Sequence, residues 1–191
     1  MPSDDLILAF DTSAAHCAAA LLCGSVILQT RVEPLAKGQA ERLMPMLEEM
    51  LSEHGKTWSD LTRIGVGVGP GNFTGIRISV SAARGLALGL GIPAIGVSSL
   101  EAIHQDHPTA IAAVPAPRDM LYVQSPGTAP RLTDASEVTQ PVFAQDAGAL
   151  VRAMAYRAAL ADPASTDRPK PLYIKPADAA PSRYTAPVIL P

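Results

Sequence analysis

The stretch that most constrains the fold runs from Ile64 to Leu90. Ile64-Gly65-Val66-Gly67-Val68 reads as a buried strand interrupted by glycine, and Gly69-Pro70-Gly71-Asn72-Phe73-Thr74-Gly75 carries it into a helix that continues to about Leu90. At ~100° per residue, only Arg77, Ser81 and Arg84 form a narrow polar strip on that helix. A helix apolar nearly all round must be covered nearly all round. Ile76, Val80, Ala83, Ala87 and Leu90 suit a sheet. On the opposite side Gly75, Ser79, Ala82, Leu86 and Gly89 form a seam of small side chains that permits close backbone approach. Either the neighbouring helix covers the seam alone, or a second molecule does; the preferred reading is half of an intermolecular helix bundle.

The rest of the first half fits around this unit. Leu6 to Phe10 reads as a buried strand ending in the polar turn Asp11-Thr12-Ser13. Residues 15–22 and 25–32 flank Cys23-Gly24 as a hairpin, and a helix spans about Gln39 to Glu53. Pro93 to Val97 is a further strand, and Ser98 or Ser99 caps a short helix with Glu101 in its first turn. The order β-β-β-α-β-α-β places helices against a mixed sheet, an α/β fold. Twelve of 14 Gly precede Pro108, whereas 13 of 18 Pro lie from Pro108 onward. That shift divides the chain into an N-terminal subdomain, residues 1–106, and a shortened, Pro-rich C-terminal subdomain and tail, residues 107–191. The second part carries strands at 109–115 and 119–124 and a helix from about Gln145 to Leu160; Asp162 to Pro191 reads as a wrapping or partly ordered tail.

On the helix from Gln39 to Glu53, Ala40, Leu43, Met44, Met46, Leu47, Met50 and Leu51 share one arc, wider than one packing contact requires. Flexible thioethers suit a surface that repacks on a partner, so Leu43, Met44, Met46, Leu47 and Met50 join the seam as candidate partner-facing residues. A well-buried core helix with spare hydrophobes is the competing reading. Pro45 implies a kink or a start near Met44.

With 48% hydrophobic residues the 191-residue chain is not disordered throughout, and a net charge of −3 provides no basic field for direct nucleic-acid binding. The acidic start Met1-Pro2-Ser3-Asp4-Asp5 lacks the features of a secretory signal, and no apolar run reaches the ~18 residues of a membrane span. A cytoplasmic location is expected, with Cys17 and Cys23 reduced. Gly69, Gly71, Asn72, Thr74 and Gly75 lie where a helix N-terminus holds anions, and Asp11, Thr12 and Ser13 are placed to face a nucleotide's phosphates and metal. The competing readings are a tight structural turn and a hairpin cap. The spacing GxGxxxG is neither a dinucleotide fingerprint nor a P-loop, and no Lys follows. His104 and His107, as H-x-x-H, lack the Glu and the spacing of a zinc peptidase and read as a solvated helix end. No catalytic residue, metal ligand or intrinsic cofactor is assigned.

Ile7-Leu8-Ala9-Phe10-Asp11-Thr12-Ser13, Glu41-Arg42-Leu43-Met44-Pro45-Met46-Leu47, and above all the run from Gly67 through Gly69-Pro70-Gly71-Asn72-Phe73-Thr74-Gly75-Ile76-Arg77 to Ile78 carry a resemblance. Arg84-Gly85-Leu86-Ala87 and Ile95-Gly96-Val97-Ser98-Ser99-Leu100 extend it, and Tyr173-Ile174-Lys175 adds a weak C-terminal match. Over residues 6–103 the chain resembles the TsaB/YeaZ family, also called glycoprotease-like or peptidase M22-like. The resemblance implies an actin/sugar-kinase-like (ASKHA, ribonuclease H-like) fold with a truncated second subdomain. It implies a non-catalytic dimerisation subunit that activates a TsaD-type enzyme in N6-threonylcarbamoylation of the tRNA adenosine next to the anticodon. Implied partners are the TsaD-type subunit, a TsaE-type ATPase and, when alone, a second copy. tRNA is reached only indirectly, and ATP or ADP belongs at the joint with the catalytic partner. Gln39 stands where many relatives have His. The alternatives are a small ASKHA-type phosphotransferase and an M22-type metallopeptidase.

Overall fold

The computed structural model describes residues 5–174. Strand β1 (Leu6–Asp11) is buried along its whole length and organises what surrounds it. Leu6, Leu8 and Phe10 enter one core, with Leu43, Met46 and Val80, while Ile7 and Ala9 enter another, with Val151 and Met154. A strand covered on both faces has no polar side to show, which is why it reads as an unbroken apolar run. β2 (His16–Cys23) pairs antiparallel with β1, and β3 (Val26–Pro34) antiparallel with β2, turning at Gly24, whose φ of 57° is left-handed. β4 (Arg63–Gly67) and β5 (Ala94–Val97) continue the sheet in parallel, giving the order β3-β2-β1-β4-β5.

Helices α1 (Gln39–Glu53) and α2 (Phe73–Leu90) cover the first face. α1 runs through Pro45 and starts at Gln39 rather than near Met44. Its charged side is tied to β3: Arg42 bonds Glu33 at 2.6 Å and Glu49 at 2.7 Å, and Arg31 bonds Glu53 at 2.6 Å. α3 (Ser99–Asp106) begins with a reciprocal cap: the Glu101 N–H donates to Ser98 Oγ at 3.1 Å, and the Ser98 N–H donates to Glu101 Oε2 at 2.8 Å.

The second sheet is β6 (Ala112–Ala116), β7 (Met120–Gln124) and β8 (Arg131–Asp134), all antiparallel. β8 leaves no mark in the sequence, because Arg131-Leu132-Thr133-Asp134 is too short and too polar to carry an alternating signal. α4 (Ala147–Leu160) falls in the Pro-rich part by sequence yet packs on the far face of the first sheet, against β1, β2 and β4. Ile7 and Ala9 need that cover, and Arg63 of β4 fastens its end: Nη1 donates to the carbonyls of Ala158 (2.7 Å), Ala159 (3.1 Å) and Ala161 (2.7 Å). Beyond α4 the chain returns along the first sheet, where the Leu172 N–H donates to the Val68 carbonyl at 2.8 Å. The remainder of the expected tail, residues 175–191, lies outside the described residues. Among the described residues no helix is long and apolar enough to cross a membrane.

Candidate functional site

Asp11, Thr12 and Ser13 leave β1 at the end where β4 leads into the glycine loop, so the two turns meet. The Thr12 hydroxyl donates to the Gly75 carbonyl at 2.6 Å, and the Asn72 N–H donates to the Ser13 carbonyl at 2.6 Å. A Cβ at position 75 would strike the Thr12 carbonyl, and one at 71 the Ser13 carbonyl, so close approach explains both glycines. Gly69 has a φ of 95° and its carbonyl accepts the Ser99 N–H at 2.9 Å. Asn72 caps α2, accepting the Gly75 N–H on Oδ1 at 2.9 Å. Thr74 is exposed on the first turn of α2.

Asp11 is 1% exposed. Its Oδ2 accepts the Ser13 N–H (3.0 Å), the Ser13 hydroxyl (2.9 Å) and the His16 Nε2–H (2.9 Å); Oδ1 has no partner among the described residues. Because a carboxylate only accepts, it is the Nε2–H of His16 that donates.

Part of the anion-holding capacity expected of these turns is spent within the chain. The Asn72 and Gly75 N–H groups are already used within the chain, and Ser13 and Thr12 fill the space that the glycines open. Beside the turns lies a cavity of about 660 Å³, between the first sheet, α3, the start of α4 and the second sheet. Ser13, His16, Gly71 and Asn72 line it, with Tyr122, Phe143 and Leu150, but among the described residues neither Lys nor Arg does. Sequence reasoning missed those last three because they come from distant segments that only the packing of two sheets brings together. His104 donates its Nε2–H to the Ala110 carbonyl (3.2 Å), and no group of three or more metal-ligating side chains gathers among the described residues.

The candidate partner residues divide. Leu43, Met46, Leu47 and Met50 are at most 1% exposed, buried in the chain's own core by the sheet; the wide arc expected to face a partner is filled from within. Gly75 is buried against Thr12, and the Ser79 hydroxyl donates to the carbonyls of Gly67 (3.2 Å) and Ile76 (3.1 Å), so neither is at a partner surface. α2 turns the remainder of the seam outward. Ala82, Leu86 and Gly89 line a groove of about 500 Å³ with Met44, Trp58 and Leu90, and nothing lies within 4 Å of where a Cβ would stand at Gly85 or Gly89.

A family model described as "TsaD: tRNA N6-adenosine threonylcarbamoyltransferase" matches residues 33–166, more than two-thirds of the chain. YeaZ from Pseudomonas aeruginosa matches at 31% identity and a TM-score of 0.61, over 72% of this chain and 71% of that one. The chain belongs to the TsaB/YeaZ family. Another Pseudomonas aeruginosa structure, of an uncharacterized protein with similarity to peptidase YeaZ, has the same fold, with a TM-score of 0.72 at 24% identity over 90% of this chain and all of that one. The tRNA threonylcarbamoyladenosine biosynthesis protein TsaB of Escherichia coli is 37% identical over 99 residues, 52% of this chain and 42% of that protein. TsaB of Bacillus subtilis is 39% identical over 97 residues, 51% of this chain and 42% of that protein. The match thus spans less than half the length of these two TsaB proteins.

Proposed function

We propose that this chain is the non-catalytic docking subunit for a TsaD-type threonylcarbamoyltransferase in N6-threonylcarbamoylation of the tRNA adenosine beside the anticodon. The observation that carries the reading is the uncovered groove between α1 and α2, where glycines at 85 and 89 leave room for another helix. Family membership and the relatives' names support the pathway. The sheet order, three antiparallel strands followed by two parallel ones, supports an ASKHA-type, ribonuclease H-like fold. In this reading the groove takes the TsaD-type subunit, or a second copy when the chain is alone. A TsaE-type ATPase joins the pair, and tRNA is met through the partner. A nucleotide at the joint of the subunits draws its phosphate-binding cations from the partner, since the turns on this side do not provide them.

The test is Ala82→Arg, which places a long charged group on the groove floor. Loss of co-elution with the TsaD-type subunit and of reconstituted tRNA modification is expected, at a cost of about 2–4 kcal/mol in association. Ala82 is half-buried at the surface, so the circular dichroism spectrum and melting temperature stay near those of the unaltered chain. Normal co-elution puts the interface elsewhere; an unfolded variant assigns Ala82 to the chain's own core.

A further inference from the structure

We propose that the 660 Å³ cavity between the two sheets binds an uncharged, flat, ring-bearing molecule with a hydrogen-bonding edge, and rejects phosphorylated ones. This goes beyond the docking role and does not rest on it. The volume falls within the ~300–1,000 Å³ of small-molecule sites, which are mostly apolar with a few placed polar groups. Here Pro70, Ile103, Val114 and Leu150 supply apolar wall, and Tyr122 and Phe143 supply ring faces for an aromatic ligand.

Charge sets the class. Among the described residues the lining holds one carboxylate, Asp146, and no Lys or Arg, and the buried carboxylate of Asp11 lies directly behind Ser13 and His16. An anion entering this space loses its hydration and meets no Lys or Arg counter-ion among the described residues. Its natural landing place, the turn at Gly71 and Asn72, is closed by the Ser13 carbonyl.

Unused polar capacity sets the edge. The Tyr122 hydroxyl and the Asn72 amide nitrogen have no hydrogen-bond partner among the described residues. His16, with Nε2 committed to Asp11, leaves Nδ1 uncommitted among the described residues. Amide, ring nitrogen and hydroxyl on one apolar cavity match a neutral heteroaromatic ring that itself both donates and accepts.

Adenosine and ATP are a matched pair of probes, sharing ring and sugar and differing in the triphosphate. Titration calorimetry on the full chain is expected to show adenosine binding at least about tenfold more tightly than ATP, with or without magnesium. Ala144→Trp, which fills the cavity, weakens adenosine by at least about tenfold, and Tyr122→Phe by about threefold, the worth of one neutral hydrogen bond. Should Ala144→Trp fail to fold, Tyr122→Phe decides alone. The proposal is overturned if ATP binds as tightly as adenosine. It is equally overturned if millimolar adenosine gives neither heat nor amide chemical-shift changes, or if binding is unaltered in the folded variants.

Discussion

Oδ1 of Asp11 rests against the backbone of Gly67, in the space that a side chain at position 67 would occupy. Oδ1 is buried and unpartnered among the described residues, while Oδ2 holds Ser13 and His16 in place. Any larger residue at 67 therefore pushes on the group that organises the turn after β1. Gly67→Ala is expected to destabilise the chain by about 2–3 kcal/mol in urea unfolding, as overpacking does. Gly85→Ala is the control: nothing stands within 4 Å of its missing Cβ, so helix propensity dominates. That variant should be more stable than the parent by up to about 1 kcal/mol.

Two neighbours on α1 separate folding from docking. Leu43 is 1% exposed and Met44 37%. Leu43→Ala removes buried methyl groups and should cost about 2–5 kcal/mol of stability. Met44→Ala should leave the urea midpoint within about 0.5 kcal/mol of the parent, as surface changes do, yet weaken the complex with the TsaD-type subunit. Pull-down and denaturation run side by side on both variants check this, and equal effects of both on stability would contradict the assignment of Met44 to the groove.

The link between α1 and β3 should fail in acid. The hydrogen bond from Arg42 holds the carboxyls of Glu33 and Glu49 below the ordinary value of 4.5, and the bond from Arg31 does the same for Glu53. Groups whose folded value is lowered contribute stability that is complete above 4.5 and is lost as pH falls through the lowered values. The melting temperature should therefore drop as pH is taken below 4.5, less steeply in high salt because these carboxylates are at the surface. Arg42→Gln should flatten that acid limb while leaving the neutral-pH fold intact by circular dichroism.

Local signals were legible wherever one segment decides its own conformation. The Ser98–Glu101 cap, the turn at Gly24 and the bounds of α1 all follow from residues within a few positions of one another. The spacing of Gly69, Gly71 and Gly75 pointed to a special turn, but not to its reason. Gly71 and Gly75 make room for the backbone of residues 12 and 13, a contact between segments about sixty residues apart. On the helix alone the Met/Leu arc of α1 looks like surplus, because its width takes no account of how deeply the sheet and α2 enclose it. Cys17 belongs to the same enclosure, where burial pushes its thiol up to about 11, so it packs as an apolar side chain at neutral pH.

The position of α4 has a consequence for synthesis on the ribosome. β1, β2 and β4 are complete once residue 67 is made, but the face bearing Ile7, Ala9, Ala18 and Ala20 finds its cover only in residues 147–160. At roughly 5–20 residues per second, that face waits on the order of 4 to 20 seconds after β4 emerges. A nascent chain halted between β5 and α4 presents a bare apolar sheet, the kind of surface that chaperones hold. Release of the nascent chain from such a holder should coincide with the emergence of Leu160, the last residue of α4, from the exit tunnel.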